Sequence, residues 1–267
     1  MTLEDLSLPR YVSLLEGATP NTVCPVYSVV VPFYNEEVAA SHLLQEILAV
    51  LARLDSPAEC LCIDDGSSDE TGAILKAFAA QPDSPVRVLA FPKNRGQAAA
   101  LWTGLHEARG RIIITLDGDG QNDPADIPRL LDALRDADMV VGVRQNRQDN
   151  VSRRWMSRLA NAVRSRILGD GMRDSGCALK VFRREVVASL IPIRTLYSFI
   201  PAMAVAAGFR IRQIPVQHRA RIGGRSNYGA LVFLWRPLVD LVGMWWFSRR
   251  AFPQVEQPRT GIGERAT

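Results

Sequence analysis

The segment "ITLDGDGQNDPADIP", Ile114 to Pro128, decides how the chain is read. It closes the apolar run "RIIITL", whose branched residues predict a buried strand, and opens "DPADIPRLLDALRDA", a helical period with Asp123 as cap and Pro124 at the first helical position. Strand, acidic turn and helix in direct succession form the repeating unit of an α/β fold. Asp117, Asp119, Asp123 and Asp126 crowd this turn. Asp117 and Asp119 stand too early to cap the helix. Crowded carboxylates repel one another and raise each other's pKa, so this pair predicts a positive partner that the turn itself does not supply.

The same alternation recurs on both sides. "YSVVVP" (Tyr27 to Pro32) precedes a helical stretch from Val38 to Leu54, and "ECLCID" ends at Asp64 before the capping chemistry of "SSDETGAILKAFAA". "VRVLAF" leads to "GQAAALWTGLHEA", and "DMVVGV" supplies a fifth strand after the DGDG turn and its helix. Five alternations predict a mostly parallel sheet with helices on both faces. Ligands in such sheets gather outside the carboxyl ends of the strands, and Asp64, Asp65, Asp117 and Asp119 all fall there.

With 267 residues, 47% of them hydrophobic, the chain can bury a core of one large domain with an appendage. Cys24, Cys60, Cys62 and Cys177 lack metal-type spacing, and Glu4 and Asp5 stand where a leader peptide would be apolar, which predicts a cytoplasmic protein with reduced thiols. Cys60 and Cys62 are expected on one buried face of a strand. The net charge of +4 is uneven: "VRQNRQDNVSRRWMSRLANAVRSR" (Val143 to Arg166) is dense in arginine, while lysine occurs only at Lys76, Lys93 and Lys180. Such a run either keeps a surface wet or meets an anion. No zinc-finger spacing or RNA-binding motif accompanies it, so phosphate-bearing small molecules or a lipid surface are favoured over nucleic acid. His42, His106 and His218 offer no metal-ligand spacing, and the order of glycines excludes a dinucleotide-binding fingerprint.

A hard cation, Mg²⁺ or Mn²⁺, takes oxygen ligands and commonly binds through one or two carboxylates plus substrate phosphates. Asp117, Asp119 and the nearby Gln121 supply that minimum as metal ligands. A cation so held would neutralise a diphosphate leaving group.

"VVVPFYNEE", "IDDGSSDET", "NRGQAAALWTG", "LDGDGQNDPADIP", "DSGCALKVFRR" and "RIGGRSNYG" occur in an order and spacing that resembles glycosyltransferase family 2, the GT-A fold, in its polyprenyl-phosphate, dolichol-phosphate mannose synthase-like branch. The resemblance runs from Ser28 to about Tyr228. It implies an inverting sugar transferase that uses a nucleotide-diphosphate sugar donor and a polyprenyl phosphate acceptor (undecaprenyl or dolichyl). It also implies that Pro32, Tyr34, Glu36 and Asp65 hold the base and ribose, that Asp117, Asp119 and Gln121 carry metal and diphosphate, and that Arg144 and Arg221 meet phosphate oxygens. The sequence departs from the family at Asn227, where a lysine is usual; Arg225 is the nearest compensating charge.

A phosphate acceptor is already mostly dianionic at neutral pH and needs positive charge more than a base, whereas a saccharide hydroxyl needs a base. Arg153, Arg154, Arg158 and Arg183 stand where the branch receives a lipid phosphate. Asp174 is a catalytic candidate there, though an acid before Ser-Gly equally serves to order its loop. Transfer to a saccharide hydroxyl, and a non-catalytic nucleotide-sugar-binding subunit, are the alternatives.

"ALVFLWRPLVDLVGMWWFSRRAF", Ala230 to Phe252, is broken by Arg236, Pro237 and Asp240 and is not read as a span. At helical spacing Leu231, Leu234, Leu238, Leu241 and Trp245 share one face, and Arg236 and Asp240 another, where they can pair. The three tryptophans Trp235, Trp245 and Trp246 beside Arg249 and Arg250 predict an amphipathic helix lying at a membrane surface, with packing on the domain or on a partner subunit as the alternative. The chain is thus expected to divide into an N-terminal arm (1–24), a GT-A domain (25–229), this helix (230–252) and a tail (253–267), peripheral on the cytoplasmic face of a membrane. An integral-membrane protein that presents the lipid is the further partner expected.

Overall fold

The computed structural model describes residues 25–145, 161–221 and 232–250, without the side chains of 232–238 and 248. The N-terminal arm, Arg153, Arg154, Arg158, Arg225, Asn227 and the tail lie outside the described residues, as do the side chains of Trp235 and Arg236.

Seven strands form one sheet in the order β3-β2-β1-β4-β6-β5-β7. They are β1 (Tyr27–Phe33), β2 (Ala58–Asp64), β3 (Val86–Ala90), β4 (Ile112–Thr115), β5 (Met139–Arg144), β6 (Lys180–Arg183) and β7 (Ile211–Val216). Every pairing is parallel except those of β6, which runs antiparallel to both β4 and β5. The five strands expected from the sequence are all present. The short β6 instead arises inside "ALKVFRR" and wedges the first half of the sheet against the second.

Helices α1 (Glu37–Leu51), α2 (Thr71–Ala79) and α4 (Ile127–Ala133) cover one face of the sheet. Their apolar stripes bury Leu43, Leu44, Ile47, Leu75 and Leu130 against Val29, Val31, Cys60, Cys62 and Val181. The Cys60 and Cys62 thiols lie 3.8 Å apart on that face, buried and reduced. Helix α3 (Gln97–Glu107), α5 (Leu196–Ala206) and α6 (Val232–Ser248) serve the opposite face, where Leu101, Leu105, Phe199, Ile200, Leu241 and Met244 join Val30, Leu61, Ile63 and Phe182. A further helical stretch covers 161–168. Asp123 caps the turn into α4 by accepting from Ala125 N at 2.9 Å, with Pro124 next, as the sequence predicts.

Helix α6 turns one side to the domain. Leu241, on the stripe assigned to lipid, is buried with Met244 against the domain, and Asp240 accepts from the Thr195 hydroxyl at 2.5 Å. Spacing alone identified an apolar stripe; which side of it meets protein depends on a surface built elsewhere in the chain. Among the described residues no helix is long and apolar enough to cross a membrane.

Candidate active site

The carboxyl ends of β1, β2 and β4 and the loops that follow make one rim. β1 ends at Phe33, and Pro32 is buried while Tyr34 is half-buried just beyond it. The loop is stitched to the one after β2: Asn35 N donates to Ser67 Oγ at 3.1 Å, Ser68 N donates to Asn35 Oδ1 at 2.8 Å, and Glu36 N donates to Thr71 Oγ1 at 2.8 Å. Asn35 takes a positive φ of 52° to make this turn, a conformation asparagine tolerates better than most residues.

Asp65, at the end of β2, is a clamp. Its Oδ1 accepts from Arg95 N at 2.7 Å, and its Oδ2 accepts from Gly96 N at 2.8 Å and Asn94 Nδ2 at 3.0 Å. These bonds hold the loop that starts α3, and so set the position of Gln97. Burial raises the Asp65 pKa against the pull of the two backbone donors. Gly66 (φ +69°) lets this loop pass close by, since a Cβ there would sit 2.4 Å from the Lys93 carbonyl carbon.

Asp117 and Asp119 emerge from β4 beside it. Gly118 between them is required by packing: a Cβ would stand 2.6 Å from Phe33 Cδ1 and 2.7 Å from Pro32 O. The acidic turn therefore lies directly against the end of β1. Gln97 Nε2 donates to Asp117 Oδ1 at 2.6 Å, and Gln121 N donates to Asp119 Oδ1 at 3.1 Å. Burial first, then the Asp119 charge, pushes the Asp117 carboxyl up to about 6, with Lys180, Arg144 and Gln97 opposing.

Opposing charge comes from β5 and β6. Arg144 forms a fork with Asp174, Nε to Oδ2 at 2.8 Å and Nη2 to Oδ1 at 2.8 Å, while Arg144 N also donates to Oδ2 at 3.1 Å. Burial, the largest single influence, lowers the Arg144 pKa, but Asp174, Cys177 and Asp117 together raise it, and the fork fixes its guanidinium. Lys180, 1% exposed, donates to the Cys177 carbonyl. Its pKa is lowered by burial, against the charges of Cys177, Asp117 and Asp174. Lys180 and Gln97 are site residues that reading the sequence missed. The signal for Lys180 was there in principle: a cation inside the apolar "CALKVF" requires an acid close by.

The segment after β7 crosses this rim as a strap. Arg219 N donates to Gln121 O at 2.9 Å, and the Arg219 guanidinium meets Glu46 at 2.7 Å and Asp123 at 2.7 Å. Asn122 bridges to His218, and Gln217 N donates to Asp126 Oδ2 at 2.7 Å. The strap delivers Arg221 to Glu36, which accepts from its Nη2. Burial, the largest influence, raises the Glu36 pKa while Arg221 lowers it; Asp119 also raises it, so the β1 and β4 acids share one field. The expected rim residues thus lie together, Pro32 at the end of β1 and Tyr34, Glu36, Asp65, Asp117, Asp119 and Gln121 on adjoining loops. Arg144 and Asp174 are paired with each other, and Arg221 is paired with Glu36.

Among the described residues no three His, Cys, Asp or Glu side chains converge as a closed metal cage. The two carboxylates Asp117 and Asp119, held close enough to raise the pKa of one, fit instead a hard cation that completes its shell with phosphate oxygens.

A mostly parallel seven-stranded sheet with helices on both faces and an acidic turn at the end of β4 defines an α/β domain of the GT-A type. The family model described as Glycosyl transferase family 2 matches residues 28–191, and the chain belongs to that family. It is 38% identical over 216 residues to an undecaprenyl-phosphate 4-deoxy-4-formamido-L-arabinose transferase of Sodalis glossinidius, covering 80% of this chain and 66% of that one. With the protein of the same name from Pseudomonas aeruginosa strain LESB58 it shares 39% identity over 80% of this chain and 63% of the other. The chain thus spans somewhat under two thirds of the length of these relatives. Its fold matches that of glucosyl-3-phosphoglycerate synthase from Mycobacterium tuberculosis, solved with Mn²⁺, uridine diphosphate and phosphoglyceric acid, at a TM-score of 0.62 and 22% identity, over 86% of this chain and 80% of that chain.

Proposed function

We propose that this chain is an inverting, metal-dependent glycosyltransferase that moves a sugar from a nucleotide-diphosphate sugar to a polyprenyl phosphate, working peripherally at the cytoplasmic face of a membrane. The observation that carries it is the Asp117/Asp119 pair at the end of β4, with Asp117 raised to about 6 and the Arg144–Asp174 fork on the strand beyond β6. The names of the relatives, which specify an undecaprenyl-phosphate acceptor, support the same acceptor here.

Asp117 and Asp119, with Gln121 beside them, would hold Mg²⁺ or Mn²⁺, and the bound cation would supply charge neutralisation of the departing diphosphate. Pro32, Tyr34 and Glu36 border the base and ribose. Asp65 acts on the donor through the loop it clamps at the start of α3. Arg144 and Arg221 meet phosphate oxygens, which suits a planar guanidinium. Arg221 must leave Glu36, wholly or in part, to do so.

The acceptor phosphate oxygen attacks C1 of the sugar in line; the new C1–O bond forms as the bond from C1 to the diphosphate oxygen breaks, and the nucleoside diphosphate leaves with the electron pair. No proton has to be removed from a dianionic phosphate. That agrees with the use to which Asp174 is put: both its oxygens are taken by Arg144, so it acts as a positioning residue for that cation.

The test is a choice of acceptor. Given a panel of nucleotide sugars with Mg²⁺ or Mn²⁺, the protein should glycosylate undecaprenyl or dolichyl phosphate and leave the corresponding free alcohol untouched. Product on a saccharide or polyprenol hydroxyl alone would establish the hydroxyl-acceptor alternative. Nucleotide-sugar binding without any product would establish a non-catalytic subunit.

A further inference from the structure

The loop from β3 to α3 is exposed over Pro92, Lys93, Asn94 and Arg95, yet it delivers Gln97, whose amide reaches the acidic turn. Phe91 N donates to Asp64 O at 2.8 Å, and beyond that bond the chain leaves the sheet. Three donors of the loop then converge on one carboxylate: Arg95 N, Gly96 N and the Asn94 amide all donate to Asp65.

Gly96 passes that hold into the helix. Its N–H is bound to Asp65, and its carbonyl accepts from Ala99 N at 2.9 Å and Ala100 N at 3.2 Å, the first bonds of α3. Gly96 has no side chain with which to cap the helix, so Asp65 supplies from β2 the negative charge that a helix start favours. Gln97 is the first residue of α3, and its placement follows Gly96.

Gln97 Nε2 donates to Asp117 Oδ1 at 2.6 Å. A carboxylate with one oxygen fixed in this way can no longer rotate freely, and its Oδ2 is left for a cation. Asp119 is treated alike, since its Oδ1 accepts from Gln121 N at 3.1 Å. Hydrogen bonds of this kind orient metal ligands and make them better ones. A glutamine suits the task because it fixes the oxygen without bringing a charge that would repel the cation.

We propose that Asp65, the loop over 94–96 and Gln97 form a relay that positions Asp117 for its cation. Asp65 and Gln97 are then positioning residues, and the strand-end acid expected at the base and ribose serves the metal end of the donor. The relay rests on the reading of Asp117 and Asp119 as cation ligands given above.

Inorganic pyrophosphate with Mn²⁺ separates the two roles of Asp65, because this probe carries a diphosphate but neither base nor ribose. Its binding to the full chain is measured by calorimetry for the unaltered protein, Gln97→Met, Asp65→Asn, the double variant and Asp119→Asn. Gln97→Met keeps the length of the side chain and removes the donor; Asp65→Asn keeps the shape and turns one acceptor into a donor. Each single change should weaken Mn²⁺–pyrophosphate binding about 10- to 100-fold, the usual loss when a ligand's hydrogen-bond partner is removed. The double variant should bind within about twofold of the weaker single one, because both changes cut the same line. In transfer assays the Mn²⁺ concentration for half-maximal rate should rise in Gln97→Met, while the rate in saturating Mn²⁺ stays within about threefold of the parent. Circular dichroism should match the parent throughout, and if Asp65→Asn does not fold, Gln97→Met decides the matter by itself. Unchanged binding by Gln97→Met overturns the relay. So does unchanged binding by a folded Asp65→Asn, which would return that acid to the base and ribose, and so do additive losses in the double variant. If Asp119→Asn binds the probe as the unaltered protein does, the cation reading falls and takes the relay with it; if Asp119→Asn loses binding while Gln97→Met keeps it, only the relay falls.

Discussion

In the proposed transfer, the Asp174–Arg144 fork separates a base-catalysed route from one assisted by fixed charge. The fork between them is mostly buried, with side-chain exposures of 18% and 7%. Removing one member of a buried pair typically costs about 3–5 kcal/mol, so Asp174→Ala should lower the urea midpoint markedly, and Asp174→Asn less because it keeps two of the contacts. The kinetics are more diagnostic than the stability. If Asp174 positions Arg144, Asp174→Asn raises KM for the phosphate-bearing substrates and leaves the acid limb of the pH–rate profile in place; loss of that limb would reinstate Asp174 as the base. Arg144→Lys keeps the charge but not the fork, and kcat/KM should fall about 10²-fold, the scale of one preorganised charge-stabilising donor. The sequence marked both residues but did not show that they pair. They are 30 positions apart and meet only because β6 brings the "DSGCALK" segment back beside β5.

The acidic turn after β4 and the strap after β7 are held in place by different means. Gly118 is fixed by steric contact with Phe33 and Pro32 O. Gly118→Ala should therefore cost about 1–3 kcal/mol, as overpacking does, and should weaken nucleoside diphosphate binding by displacing both aspartates. Equal donor affinity in the alanine variant, by calorimetry, would show that the turn tolerates the shift. Arg219 is about a third exposed, and its pairs with Glu46 and Asp123 are partly screened. Arg219→Ala should change global stability by no more than about 1 kcal/mol, yet it frees the backbone that carries Arg221 and should lower donor affinity. The strand–turn–helix units were legible in the sequence because each is a local pattern of hydrophobic period and capping residues. The strap was not, because Arg219 reaches partners nearly a hundred residues or more away in the chain, Glu46 among them at a separation of 173. Strand β6 escaped for a related reason: four residues carry too little periodicity to announce a strand, and its antiparallel place between β4 and β5 is a tertiary fact.

The molecule trades stability for its acidic rim. A carboxyl raised from 3.8 to about 6 favours folding while protonated, below the ordinary value, and loses that contribution as pH rises through about 6. At neutral pH the ionised Asp117 is therefore a standing cost on the order of 2–3 kcal/mol, which a bound cation would offset. In chelator at neutral pH, Asp117→Asn should melt higher than the unaltered protein, with the gap narrowing as pH approaches 4. A variant that melts lower at neutral pH would mean that Asp117 is structurally satisfied and not poised for a cation. That the chain forms a fold of the GT-A type was readable from six ordered motifs. How α6 sits was not, since the side that buries Leu241 is defined by Thr195 and α5. The most direct measurement of what the rim does is mass spectrometry of undecaprenyl phosphate after incubation with nucleotide sugars, comparing the unaltered protein with Asp119→Asn, each with Mn²⁺ or with chelator. The expected result is a lipid-linked sugar from the unaltered protein only when the cation is present, and none from Asp119→Asn, whose circular dichroism should match the parent. Lipid-linked product of equal yield in chelator, or from Asp119→Asn, would contradict a metal-dependent transfer at this rim.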